Sequence, residues 1–128
     1  TKFDFLIATN LADIPEYLTR KPFAEVLALS DLIVGLSGTG NEQAAGCGIP
    51  VISFYGRGAQ YNKKFAEAQK QLLGEALYLV RSYDPKTIAV AIWKLLKNPD
   101  KMKEMRRAGR ERMGNGGAVE KIAWALFE

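Results

Sequence analysis

Histidine is absent from this chain, and cysteine occurs once, at Cys47. Without histidine the commonest general base and the commonest neutral metal ligand are missing, so triad chemistry would need groups from elsewhere. A lone cysteine closes no internal disulfide, and nothing points to an oxidising compartment. Its place before Gly48 suits a small apolar packing role better than a reactive thiol. Long apolar runs are lacking too. The longest, such as Leu32 to Leu36, is far too short to span a bilayer. There is no N-terminal secretory pattern, no internal repeat and no low-complexity segment. These absences set the expectation of a cytoplasmic protein with no metal and no bound cofactor.

What is present is ordinary globular material. The chain has 128 residues, 48% hydrophobic and 25% charged, enough for one domain with its own core. A net charge of +4 suits an anionic ligand or an acidic membrane surface. The charges are mixed along the chain and aromatics do not interleave with them, which argues against nucleic acid. The abrupt opening into a strand-like run sets the expectation of an excised part of a longer protein.

Apolar runs at Phe3 to Ala8, Leu32 to Leu36, Pro50 to Phe54 and Ala76 to Val80 read as buried strands. Asn10 to Arg20, with Pro15 inside, reads as a loop. Helical spacing marks Pro22 to Ser30, Asn41 to Cys47, Asn62 to Leu73, Asp84 to Lys97 and Asn98 to Met113. The spacing predicts Phe65, Ala68, Leu72 and Leu73 inward on the third of these, and Ile88, Ile92, Leu95 and Leu96 on the fourth. Asp84-Pro85 and Asn98-Pro99 are capping residues followed by a favoured first-turn proline. Met102, Met105 and Met113 are expected to pack one face of the basic helix, whose charges read as a solvated face, with anchoring to acidic lipid as the lesser alternative. A turn at Gly114 to Gly117 and a last helix, Ala118 to Phe127, complete the pattern. Strands that alternate with helices and are apolar throughout predict a parallel α/β sheet with helices on both faces. The loops at the carboxyl ends of the strands, near Thr9, Ser37, Tyr55 and Arg81, would then share one rim, where ligands of such sheets bind.

Two rim loops carry candidate chemistry. The first is Ser37-Gly38-Thr39-Gly40-Asn41-Glu42-Gln43, between a strand and a helix start. Its glycines allow close approach, its backbone N–H groups and helix dipole attract anions, and its hydroxyls add donors, so a diphosphate fits. Thr39-x-x-Glu42 is equally a capping box, which needs no ligand. With Glu42 as cap, Gln43 is the side chain left to meet a ribose. The second loop, Tyr55 to Tyr61, places Arg57 between two glycines, fit to pair with a phosphate or to stand solvated. Gln60 is a candidate for a sugar hydroxyl, and Tyr61 reads first as a packing residue.

The stretch SGTGNEQAAGCGIPVISF from Ser37 to Phe54 resembles the donor-binding, C-terminal half of GT-B glycosyltransferases. It is closest to the proteins related to lipid-A-disaccharide synthase. Gly58 to Gly74 and Arg112 to Ala118 resemble the same group. The resemblance runs from about Pro22 to the C-terminus. It implies a Rossmann-like domain, residues 1–128, belonging to a two-domain hexosyltransferase. Such an enzyme moves a sugar from a UDP-sugar donor, expected to be UDP-GlcNAc-like, to a lipid-linked or envelope acceptor. The acceptor would be held by the other domain, which would also supply the catalytic base, at the inner face of the membrane. By that resemblance Ser37, Gly38 and Thr39 would hold the diphosphate. From the two rim loops, Gly40 and Arg57 are also expected at the diphosphate, and Gly58, Gln60 and Tyr61 at the sugar. The family's ribose-binding carboxylate stands seven residues before the proline of the next strand. Here that position is Gln43, so either Gln43 or Glu42 contacts the ribose. Two further functions compete: a UDP-sugar 2-epimerase-like isomerase, whose members favour two adjacent carboxylates where this chain has Glu42-Gln43, and a non-catalytic nucleotide-binding module.

Overall fold

The computed structural model describes residues 3–9, 11–58 and 61–113. The expected turn at Gly114 to Gly117 and the helix from Ala118 to Phe127 lie outside them. Five strands and five helices follow in the order β1 (Phe5–Ile7), β2 (Leu18–Arg20), α1 (Phe23–Leu29), β3 (Ile33–Val34), α2 (Gly38–Gly46), β4 (Val51–Phe54), α3 (Lys63–Leu73), β5 (Leu77–Val80), α4 (Pro85–Leu96) and α5 (Pro99–Met113). All the pairing is parallel, in a two-stranded sheet β1-β2 and a three-stranded sheet β3-β4-β5. The protein is α/β and Rossmann-like.

Side-chain alternation explains the layers. Ile33, Val51, Leu77 and Leu79 point to one face of the larger sheet and pack with Val26, Leu27, Ala44, Ala45, Ala66 and Leu73 of α1, α2 and α3. Their neighbours Ile52 and Val80 point to the other face and pack with Ile88, Leu95, Met102 and Met105 of α4 and α5. Successive strand residues face opposite ways, so strands covered on both faces are apolar at nearly every position. Buried Ser53 of β4 is the exception, its hydroxyl hydrogen-bonded to Gly35 O and Tyr61. Helix starts are set by short polar side chains. Asn62 Oδ1 accepts from Phe65 N at 3.0 Å, Asp84 Oδ2 from Thr87 N at 3.2 Å and Asn98 Oδ1 from Lys101 N at 3.1 Å.

Four expectations change. Phe3 to Ala8 and Leu32 to Leu36, read as buried strands, hold β1 and β3, in which Phe5 and Val34 are 54% and 49% exposed because no helix among the described residues covers them there. The segment read as a loop, Asn10 to Arg20, contains β2. Its three residues are half-buried or exposed, so the strand carries no apolar run to announce it. Helix α2 starts at Gly38, not Asn41. Ser37 is its cap, accepting from Gly40 N at 3.3 Å, so the Thr39–Glu42 capping box does not form. On α3 Leu73 is buried as expected, but the rest of the buried stripe is Ala66 and Gln69, one residue around from Phe65 and Ala68. Phe65 and Leu72 are 42% and 47% exposed, and Ala68 is exposed. Small Ala66 brings the helix close to the sheet, and larger Phe65 is displaced to its flank, against Tyr61. On α4, Ile88 and Leu95 are buried as expected, with Ile92 and Leu96 half-buried. On α5, Met102 and Met105 are buried and Met113 partly so.

The carboxyl end of α2 closes with two hydrogen bonds, Ile49 N to Ala44 O at 3.0 Å and Gly48 N to Ala45 O at 2.9 Å. Gly48 takes φ +73°, as this closing motif requires. Helix α5 crosses α2 at Gly109, where an added Cβ would sit 2.4 Å from Ala45 O. Its cations have internal uses. The Arg110 guanidinium packs on Gly48, and Arg112 Nη1 donates to Leu72 O at 3.0 Å, each at the negative end of a helix. Arg107 pairs with Glu104 and Glu111 on its own helix.

Candidate functional site

Ser37 leaves β3 in extended conformation, with φ −131° and ψ 127°, and the next residue is already helical. Its hydroxyl takes the Gly40 N–H, and Asn41 N reaches Ser37 O at 2.9 Å. The N–H groups of Gly38 and Thr39 have no carbonyl four residues back within the helix, so they are the two first-turn donors open to a ligand. Ser37, Thr39, Gly40 and Gln43 line a cavity of about 800 Å³. Ala8 and Thr9, at the end of β1, form the opposite side with Arg20, Lys21, Pro22 and Phe23, which lead from β2 into α1. Arg20 and Lys21 line the same cavity as the positive end of α2, with Lys21 also 4.0 Å from the Glu25 carboxylate, and this setting suits an anion.

Arg20 also shapes the opening. Its guanidinium donates to Thr9 O at 2.7 Å and to Leu11 O at 2.5 Å, which holds the loop after β1 against β2. Phe23 packs near Gly40, where an added Cβ would meet its ring at 3.4 Å. The rim is thus built from both sheets.

Helical geometry separates the two ribose candidates. Gln43 lines the cavity, whereas Glu42 accepts from Gln69 Nε2 of α3 at 3.4 Å. Gly38 does not line the cavity. A Cβ there would lie 3.0 Å from the Phe65 ring, on the α3 side.

The second rim loop stands apart from this cavity. Arg57 Cζ lies 4.5 Å from the centre of the Tyr83 ring, and Gly58 is open to solvent. Tyr61 is buried in a polar network under the first turn of α2. Asn41 Nδ2 donates to Tyr61 Oη at 3.4 Å and to Gly35 O at 3.3 Å. Ser53 Oγ donates to Gly35 O at 2.6 Å, which leaves the Tyr61 hydroxyl as donor to Ser53 at 2.7 Å. Burial raises the Tyr61 phenol above its ordinary value, and its hydrogen bonds with Ser53 and Asn41 only moderate that rise, so it stays protonated. A Cβ on Gly35 would sit 2.0 Å from Asn41 Oδ1, so this network needs glycine there. Gln60 lies outside the described residues.

The structure brings together Ser37, Thr39, Gly40 and Gln43 and adds Arg20, Lys21 and Phe23, which the sequence reading missed. The adjacent pair Arg20-Lys21 before a helix start was the available signal, masked because β2 read as loop. Among the described residues no group of three or more His, Cys, Asp or Glu side chains could hold a metal, and no helix is long and apolar enough to cross a membrane. No family model matches the chain, and no curated protein sequence matches it significantly.

Proposed function

We propose that this chain is the donor-binding half of a GT-B-type hexosyltransferase that uses a UDP-sugar. The observation that carries the reading is the cavity shared by the open first turn of α2 and the Arg20–Lys21 wall. A diphosphate laid against the first turn of α2 meets the open Thr39 N–H, the positive end of the helix dipole and the cations of Arg20 and Lys21. Gln43, one turn along, faces the same space and offers an amide to ribose hydroxyls. The motif resemblance from Ser37 to Phe54 supports the same placement and favours UDP-GlcNAc-like donors. In this reading the acceptor is lipid-linked or part of the cell envelope, and another domain presents it on the cytoplasmic side with the catalytic base. The role of the present residues is to orient the donor and stabilise the departing diphosphate. An epimerase-like role fits less well, because Gln43 faces the cavity and the neighbouring carboxylate, Glu42, turns to Gln69.

The test is a titration of this chain with UDP, UDP-GlcNAc, ADP and GDP, following backbone amide shifts. Uridine compounds are expected to move residues 37–43 and 20–23, with no sugar transfer by the chain alone. Ser37→Ala, which removes the helix cap, is expected to weaken UDP binding about tenfold, the effect of about 1.4 kcal/mol. Equal response to all nucleotides removes the uridine assignment. No response at millimolar UDP removes the site.

A further inference from the structure

At the carboxyl ends of β4 and β5, away from the α2 cavity, two tyrosine rings adjoin, each with a cation on its face. Tyr55 and Tyr83 have centroids 5.5 Å apart and are tilted by 52°. Arg57 Cζ lies 4.5 Å above Tyr83, and Lys63 Nζ lies 5.6 Å from the Tyr55 centroid. Beneath them Glu67 is fully engaged. It accepts the Tyr55 hydroxyl at 2.6 Å and both Arg81 Nε and Nη2, at 2.9 and 3.1 Å. That carboxylate neutralises Arg81 and locks the Tyr55 ring. It leaves Arg57 and Lys63 with no carboxylate partner among the described residues. An arginine held over a ring without a carboxylate partner keeps guanidinium N–H groups free to donate in bidentate fashion.

We propose that Arg57 and Lys63, held on the Tyr83 and Tyr55 rings, form a second anion site that takes a phosphate or diphosphate group independently of the α2 cavity. The ring contact restrains the arginine side chain, so less side-chain entropy is lost when a phosphate docks. The two rings follow separate strands, β4 and β5, while both cations come from the chain after β4, Arg57 from its loop and Lys63 from the first position of α3. Their two unpaired charges match a doubly negative group rather than a single carboxylate. Such a group comes either from a soluble phosphorylated molecule or from a phosphomonoester lipid headgroup at a membrane surface.

The experiment titrates the whole chain with inorganic pyrophosphate, following backbone amides of residues 55–58 and 81–83 and the Arg57 side-chain Nε resonance. A parallel arm measures sedimentation with phosphatidic acid vesicles against phosphatidylcholine vesicles. Saturable shifts at those residues are expected, about tenfold weaker in Arg57→Ala and in Lys63→Ala. Both side chains are exposed, so both variants fold. Shifts at 37–43 should survive in Arg57→Ala, and shifts at 55–58 should survive in Ser37→Ala. Capture by phosphatidic acid alone, lost in Arg57→Ala, would also support the site and assign its phosphate to a lipid. Pyrophosphate that moves only residues 37–43, with no Arg57-dependent vesicle binding, would overturn the proposal. So would variants that bind as tightly as the parent.

Discussion

Strand pairs β4-β5 and β1-β2 are both parallel, yet they are built for different purposes. In the first, Val51, Ile52, Ser53 and Leu77 are fully buried, because α1 to α3 cover one face and α4 and α5 the other. In the second, Phe5 is 54% exposed and Thr19 and Arg20 face solvent. The covered pair holds the fold. The open pair ends in Thr9, Arg20 and Lys21, side chains that line the cavity facing α2. Function is read from the place where the two adjoin, since a well-packed sheet alone offers no room for a ligand.

The largest expected contrast is in stability. Ile52→Ala should destabilise the protein by about 2–5 kcal/mol, through lost burial and a cavity between β4 and α5. Phe5→Ala should change it by about 0.5 kcal/mol or less, as for an exposed site. Urea unfolding of the two variants checks this, and equal losses would erase the distinction between the sheets.

A smaller effect sharpens how the covered half supports the site. Tyr61→Phe removes the hydroxyl that donates to Ser53 and accepts from Asn41, and should cost about 1–2 kcal/mol. Because Asn41 lies in the first turn of α2, amide resonances of 37–43 should move together with those near residue 61. A change confined to one of the two groups would show that the network does not join them.

The smallest effect is a pH dependence at the rim of the covered sheet. The hydrogen bonds of Arg81, and then of Tyr55, hold the Glu67 carboxyl below its ordinary 4.5. A lowered folded value means that this stabilisation is present above about pH 4.5 and is lost as pH falls through the folded value. Melting temperature against pH should therefore drop less steeply on the acid side in Glu67→Gln than in the parent. An unchanged acid limb would show that Glu67 carries none of it.

Much of the covered half was legible from local chemistry. Unbroken apolar runs announced β4 and β5, and Asn62, Asp84 and Asn98 announced three helix starts, because a cap acts within three residues of itself. The site was only partly legible. Ser37 and Thr39 both suit a cap, and the choice between them rests on whether Ser37 takes the Gly40 N–H or Thr39 the Glu42 N–H, which the helix start at Gly38 decides. Strand β2 has no sequence signature, since its residues stand exposed or half-buried beside β1. The cations that follow from it were missed with it.

By itself the sequence determined the alternation of strand and helix, the parallel sheet that this implies, and a glycine-rich bend at the end of β3. Periodicity and capping are properties of neighbours in the chain. Only the tertiary structure decided that Gln43 and not Glu42 faces the cavity, that Arg20 and Lys21 stand across from Ser37, and that Arg57 lies on Tyr83. Those pairings join residues far apart in the chain, and packing against the sheet sets the rotation of each helix that makes them.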